Sequence, residues 1–341
     1  MAKAKKAKTV LPQRSHQSSK PQPCANPLCD TWFHPDRGAG GLYCSMECAG
    51  VAQTLASEKY SPKLFEKLIA MTREIAPKLL IKTSVKGPAI VTADWHAPSI
   101  HTGTLARMLS VAKRTRIKTL MIVGDFMDMR AFSGHKKIEK GDTHIIDAQA
   151  QAQELIAVLA TQFDRIYLAP GNHDYWLVQY FNGAESYTSW MTHIFRPFFE
   201  KGILRVSEYP YLFVTSKRDD GKVARFACVH QRTFSGVNPA GVGRDMEARR
   251  PELRDHNIIT THSHLEASAR TWPGSHMVYS LGCMTDPDRT SYPKRFPTRH
   301  GAWNGGFGII DRGWCFTMND LMPSDVVDVI VDGLRKKRKP A

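Results

Sequence analysis

Thr119-Leu-Met-Ile-Val-Gly-Asp125-Phe-Met-Asp128 is a short apolar run that ends in glycine and delivers two carboxylates three residues apart. Such a run reads as a strand buried on both faces, with Asp125 at the carboxyl edge where open α/β sheets bind ligands. One instance is a weak signal, but the arrangement recurs in order along the chain. Ala89-Ile-Val-Thr-Ala-Asp94-Trp-His96 precedes it, and Arg165-Ile-Tyr-Leu-Ala-Pro-Gly171-Asn172-His173-Asp174 follows. Ala224-Arg-Phe-Ala-Cys-Val-His230 and Asn257-Ile-Ile-Thr-Thr-His262-Ser-His264 complete the series. Five strand-like runs therefore each end in an oxygen or imidazole able to bind a metal.

Between the first three runs the period changes. Leu105, Met108, Leu109 and Ala112 share one helical face over residues 102–114, as do Ile146, Leu155, Ile156 and Leu159 over 146–161. Strand, helix, strand, helix, strand at this spacing predicts an α/β sandwich with right-handed crossovers. After residue 200 the runs become short and β-rich, at 211–215, 223–229, 258–261, 277–281 and 307–310. They predict a second sheet packed on the first. A short helix over 324–334, with Ser324 as its N-cap, precedes a basic end.

The seven cysteines divide into a cluster and three dispersed residues, Cys228, Cys283 and Cys315. In Cys24-x4-Cys29-x14-Cys44-x3-Cys48 each short-spaced pair can hold one edge of a tetrahedron, which suits a closed structural zinc site. His34 is an alternative ligand, although four cysteines already close the site. The apolar residues nearby are few, so the metal would hold so small a module together. Tyr43-Cys44-Ser45-x-x-Cys48 resembles small treble-clef zinc fingers. The expected organisation is a disordered basic tail over 1–21, a zinc finger over 22–52 and a helical linker over 53–86. The main domain follows over 87–322, with a terminal helix and basic tail over 323–341.

Net charge is +15, of which residues 1–20 carry +6 and Arg335–Lys339 carry +5. Basic ends suggest a polyanionic partner, although such runs are also simply solvated. No apolar run approaches a membrane span, and the lysine-rich N-terminus lacks an apolar signal core. Neither secretion nor membrane insertion is expected, and a reducing cytoplasm is the expected compartment.

In order, the chain offers Asp-x-His, Gly-Asp-x-x-Asp, Gly-Asn-His-Asp, a lone His after a strand, and His-x-His. That series resembles the calcineurin-like metallophosphoesterases, which include Ser/Thr phosphatases, purple acid phosphatases and Mre11-type nucleases. The resemblance covers roughly residues 88–311 and implies two mixed β-sheets flanked by helices in four layers. It implies that Asp94, His96 and His264 bind one divalent metal and that Asn172, His230 and His262 bind a second, with Asp125 bridging. Manganese is the first expectation for the pair, with zinc, iron or nickel as alternatives. A metal-bound hydroxide would attack phosphorus in line. His173 would assist the leaving group, oriented by Asp128.

Two departures bear on substrate. The last motif reads Thr261-His-Ser-His where the family usually has glycine first. Met129 follows Asp128 where Ser/Thr phosphatases place Arg-Gly, which argues against that branch and towards phosphodiesterases and nucleases. Arg232, Arg244, Arg249 and Arg250 are candidate contacts to phosphodiester oxygens, and Tyr292 and Trp303 are candidate stacking residues. The acids interleaved among those arginines also fit a solvated helix. The expected activity is phosphodiester hydrolysis on DNA or RNA, in a bacterial or phage-infected host cytoplasm. The alternatives are a phosphomonoesterase or small-molecule phosphodiesterase whose finger contacts protein, and a nucleic-acid adaptor with a vestigial site.

Overall fold

The computed structural model describes residues 20–26, 29, 31–34, 41–46, 48–49, 52–53, 80–133, 145–233, 235–271, 273–290 and 303–336. It divides into two units, 1–76 and 77–341. Residues 1–19 of the expected tail, most of the helical linker, Tyr292 and the basic end past residue 336 lie outside the described residues.

In the first unit β1 (Gln22–Pro23) pairs antiparallel with β2 (Trp32–Phe33). The Cys24 amide donates to Thr31 O at 2.9 Å and the Ala25 amide to Leu42 O at 2.8 Å, folding both cysteine pairs together. Cys44 Sγ lies 3.5 Å from Cys29 Sγ and 3.4 Å from Cys48 Sγ, and all four sulfurs lie within 4.8 Å of one another. Zinc–sulfur bonds of about 2.3 Å give tetrahedral S···S edges of roughly 3.8 Å, so the cluster matches a structural zinc site. His34 is exposed and outside the group. The Ala49 amide bonds to Ser45 O, so the second pair opens a helical turn.

The second unit holds two mixed six-stranded sheets. The chain runs through β3 (Lys82–Val85), β4 (Ala89–Thr92), helix α1 (Thr102–Thr115), β5 (Thr119–Val123), α2 (Ile145–Gln162) and β6 (Arg165–Ala169). Helices α3 (Asn172–Tyr180), α4 (Tyr187–Ile194) and α5 (Arg196–Glu200) lead to β7 (Leu204–Val206), β8 (Tyr211–Lys217) and β9 (Val223–Val229). Helix α6 (Gly241–Arg249), β10 (Asn257–Thr260), β11 (Ala267–Arg270), β12 (Met277–Ser280), β13 (Gly306–Asp311), β14 (Trp314–Asn319) and α7 (Ser324–Lys336) complete it. One sheet has the order β14-β13-β4-β5-β6-β7 and the other β11-β12-β10-β9-β8-β3. Lys82–Val85, placed at the end of the helical linker by the sequence reading, is an edge strand parallel to β8. Only Val85 of its four residues is buried, which leaves little apolar period to read.

Alternation explains the layers. Ala89, Val91, Met121, Val123, Tyr167 and Ala169 face the second sheet and pack on Leu212, Val214, Phe226 and Ile259. Ile90, Leu120, Ile122, Ile166 and Leu168 face the opposite way, against Met108, Ala112, Ile156 and Leu159 of α1 and α2. The second sheet's outer face, with Ala227, Ile258 and Val278, carries Ala240 and Met246 around α6. Strands buried on both faces lose the polar alternation of a half-exposed sheet, hence the continuous apolar runs. Among the described residues no helix is long and apolar enough to cross a membrane.

Candidate metal centre

Parallel register places the motif residues together. Thr92 pairs with Ile122 and Val123 with Ala169, so Asp94, Asp125 and Asn172 leave β4, β5 and β6 at one edge. Val229 pairs with Thr260, so His230 and His262 leave β9 and β10 side by side. Thr261 Oγ1 donates to Val123 O at 3.1 Å and ties the two sheets at that edge. The loops continue the ladder: the His96 amide donates to Asp125 O at 2.9 Å and the Asp94 amide to Gly124 O at 3.1 Å.

Two overlapping sets result. Asp94, His96 and His264 have ligand atoms within 4.8 Å of one another, as do Asp94, Asp125, His230 and His262. Asp125 Oδ2 lies 3.8 Å from His96 Nε2 and 3.3 Å from His230 Nε2, between one imidazole of each set. Asp94 Oδ1 also reaches both, at 3.1 Å from His230 Nε2 and 3.4 Å from His264 Nε2. Both carboxylates are central, whereas the sequence reading gave only Asp125 that place. Asp94 Oδ2 is held by the His262 amide at 3.0 Å, and Asp125 Oδ1 by the His173 amide at 2.8 Å.

The backbone carries a signature that no spacing reveals. Asp94, His96, Asp125, His262 and His264 all have positive φ, from 44° to 78°. Each such L-residue costs about 1–2 kcal/mol, less for Asp and His, which visit this region most readily after Asn and Gly. Strain of this kind persists only where the surroundings over-determine it, and it concentrates at functional sites. Gly124 and Gly171 close the walls. A Cβ on Gly124 would stand 1.9 Å from the His230 ring, and one on Gly171 2.0 Å from Asp125 Oδ1.

The donors fit divalent ions. Among the described residues, His96 Nδ1 and Nε2, Asp125 Oδ2, Asn172 Oδ1 and His264 Nδ1 are buried without a hydrogen-bond partner. Each such atom costs about 1–3 kcal/mol unless something replaces the lost water. Mixed imidazole, carboxylate and amide oxygen donors suit first-row divalent metals. Burial, reinforced by His173, drives His96 down to about 3, and burial with His230 takes His262 to about 4, which favours the neutral imidazole that a metal binds. Burial opposes a proton on His230 as well, but Asp125 and Asp94 outweigh it and raise that imidazole to about 10. A bound cation would take the place of that proton. Despite burial, Asp94 is held well below the carboxylate range by His264 and His230, and Asp125 by His230 and His173.

Beside the sets stands a third group, His96, Asp128 and His173. His173 Nδ1 lies 3.2 Å from Asp128 Oδ1, and Arg130 Nε donates to Asp128 Oδ2 at 2.6 Å. Burial works against both charges, but the hydrogen bond from His173 brings Asp128 down to about 2, and Asp125 with Asp128 raises His173. His173 therefore has a proton to give and a carboxylate to fix its orientation.

Aromatic rings touch in succession at this edge. Trp176 lies 4.0 Å from His173, His173 4.4 Å from His96, His96 5.3 Å from His264, and His264 4.0 Å from Trp303, centroid to centroid. Trp176 was not singled out in the sequence; its place three residues after His173, on the same helical face, is the signal that would have found it. Asp174, buried, accepts from the Gly171 amide at 2.7 Å and is raised to about 7 by burial and then by Asp125. The candidate arginines lie after β9, on α6 and just after α6. Arg232 stands 5.8 Å over the Tyr175 ring near the centre, Arg244 is half-buried on α6, Arg249 is exposed, and Arg250 pairs with Glu252 at 3.7 Å.

A two-sheet α/β sandwich with buried Asp, Asn and His donors on its carboxyl edge defines a metal-dependent phosphoester hydrolase. Residues 87–288 match the family model for calcineurin-like phosphoesterase, and the chain belongs to that family. No curated protein matches the chain. Vps29 from Entamoeba histolytica, solved in complex with zinc, is similar in structure at 12% identity and a TM-score of 0.34, over 68% of this chain and 99% of that one. A predicted phosphoesterase from Streptococcus pneumoniae is similar at 11% identity and a TM-score of 0.29, over 69% of this chain and 98% of its own. Vacuolar Protein Sorting 29 from Cryptosporidium parvum is similar at 11% identity and 0.35, over 68% and 96%.

Proposed function

We propose that the protein hydrolyses phosphodiester bonds in nucleic acid. The observation that carries this reading is the ring row, in which His173, His96 and His264 are followed at each end by a half-buried tryptophan, Trp176 and Trp303. A phosphomonoester has a substituent on one side of phosphorus only, whereas a diester extends both ways, and nucleobases stack on tryptophan whatever their identity. The four-cysteine finger and the basic ends favour the same polyanion.

Asp94, His96 and His264 would hold one divalent ion and Asn172, His230 and His262 the other, with Asp125 between them. Two such ions supply Lewis-acid polarisation of the phosphoryl oxygens and a water acidic enough to react at neutral pH. The chain's own contribution is placement and proton transfer. Asp94 and Asp125 keep the donors aligned through the His262 and His173 amides. His173, oriented by Asp128, gives its proton to the departing ester oxygen.

The test is to incubate the manganese-loaded full chain with single- and double-stranded DNA, RNA, bis-p-nitrophenyl phosphate and p-nitrophenyl phosphate. Cleavage of an oligonucleotide and of the diester, with the monoester slow, is expected. Preferred turnover of the monoester, with every polynucleotide intact, would overturn the reading in favour of a small-molecule phosphomonoesterase.

A further inference from the structure

The flank of the sandwich where β5 and β6 begin and β3 ends, between the edge strands β3 and β7, is lined with cations. Lys118 precedes β5, Arg165 opens β6 in register with Thr119, and Arg205 on β7 pairs with Tyr167. In the other sheet the edge strand β3 runs the opposite way, from Lys82, level with Phe213, to Val85; Lys86 then lies in the turn to β4, and Arg116 caps α1. These six side chains line two clefts of about 380 and 370 Å³ that adjoin at Ser84 and Arg165. One acid, Asp164, shares the lining and stands 3.6 Å from Lys118. Lys82, Lys86, Arg116, Arg165 and Arg205 are exposed, and none has a carboxylate partner among the described residues.

Five unpaired cations on one concave surface repel one another, and a concave low-dielectric wall focuses their field outward. The arrangement has no counterpart in the core packing, since every one of these side chains points to water. We propose that this edge grips the phosphate backbone of nucleic acid, a second contact remote from the metal centre. The inference rests on the nucleic-acid reading of the catalytic edge. The cations come from six places in the chain and span two clefts, so a single nucleotide would leave half of them unused, whereas a polymer engages them together. Arginine forks and lysine ammonium groups bind such oxygens without reading bases.

Between Lys118 and the Gly124-Asp125 turn, β5 alone, from Thr119 to Val123, spans about 13 Å at roughly 3.3 Å per residue. One phosphate cannot occupy both edges. The basic edge therefore raises the local concentration of substrate without touching the reacting atoms, and it acts on KM and affinity but not on kcat.

The experiment compares the metal-loaded full chain with its Lys82→Glu/Arg165→Glu/Arg205→Glu variant, and with the neutral Lys82→Gln/Arg165→Gln/Arg205→Gln variant. Readouts are the Kd for a labelled single-stranded oligonucleotide across a potassium chloride series, KM and kcat on that oligonucleotide, and hydrolysis of bis-p-nitrophenyl phosphate. Three lost phosphate contacts at about 0.7 each should flatten the slope of log affinity against log salt by roughly 2. Kd and KM should rise at least tenfold, with kcat and diester hydrolysis unchanged. An unchanged Kd and slope in both variants would overturn the basic edge, while normal oligonucleotide cleavage would leave the nuclease reading standing. A slope that falls in a protein that cuts no polynucleotide would keep the edge and sink the nuclease reading. No oligonucleotide binding by the parent chain, or equally tight capture of pyrophosphate in competition, would remove the nucleic-acid assignment of this edge.

Discussion

Gly171→Ala isolates how closely the centre is packed. Gly171 has φ −105° and ψ −168°, an extended conformation open to alanine, so the substitution carries no backbone penalty of its own. The added methyl group would stand 2.0 Å from Asp125 Oδ1, 2.4 Å from Asp125 N and 2.6 Å from Asp125 Cγ. Contacts below 3.0 Å do not survive, so the Asn172 turn and the Asp125 loop must separate by at least about 1 Å. Swinging the carboxylate aside does not suffice, because the second contact is a backbone nitrogen. That loop is itself fixed, with Asp125 O accepting from the His96 amide at 2.9 Å. Overpacking of this kind costs about 1–3 kcal/mol, and 1 Å of misplacement can cost roughly 10²-fold in rate. The expected result is a drop of about two orders of magnitude in kcat on bis-p-nitrophenyl phosphate, with metal content reduced by mass spectrometry. Melting should fall by roughly 2–4 °C per kcal/mol. Gly221→Ala is the control, since Gly221 has φ +81° with open space around it. It should lose about 1–2 kcal/mol of stability from the positive φ alone and keep full activity. Full activity and two metals in Gly171→Ala would refute the tight apposition of these loops and the placement of Asp125 between the donor sets.

Asp125→Asn should abolish turnover on every substrate and lower metal content, because it halves the negative charge at the centre of both sets; near-normal activity would exclude Asp125 as the bridge. His173→Ala should leave both metals bound yet slow the natural ester by roughly 10²–10⁴-fold, with a much smaller loss on p-nitrophenyl esters, whose leaving group needs little protonation. Equal losses on the two substrates would assign His173 to metal placement instead. Cys44→Ser with Cys48→Ser should release one zinc per chain and unfold the finger while diester hydrolysis persists; zinc retained at wild-type stoichiometry would contradict the four-sulfur site.

What the sequence disclosed tracks burial. β5 and β6 appear as apolar runs because both faces are covered, and their ends are marked by residues that nothing in a core would tolerate. The edge strands β3 and β11, half-exposed and only four residues long, left no comparable pattern. Helix α3 begins at Asn172, within the Gly-Asn-His-Asp motif, so its first turn reads as a motif before it reads as a helix. The positive φ values of Asp94, His96, Asp125, His262 and His264 depend on contacts between loops distant in sequence, and no local rule announces them. Asp94 belongs to both donor sets for the same reason: its reach to His230 is fixed by how the sheets face each other. Trp176 was hidden by its neighbours, since one aromatic among Tyr175, Trp176 and Tyr180 does not declare which face it takes.

The span of the chain that must come together also sets when the centre can exist. The His262 amide bonds to Asp94 across 168 positions, and His230 meets Asp94 across 136. Strand β4, which carries Asp94, gains its second neighbour only from β13, more than two hundred residues later. At about 5–20 residues per second, synthesis takes roughly 8–35 s to pass from Asp94 to His264. Throughout that interval the emerging chain presents Asp94, His96, Asp125 and Asn172 without the imidazoles that complete either set. Neither donor set is complete before strands of both sheets have been made.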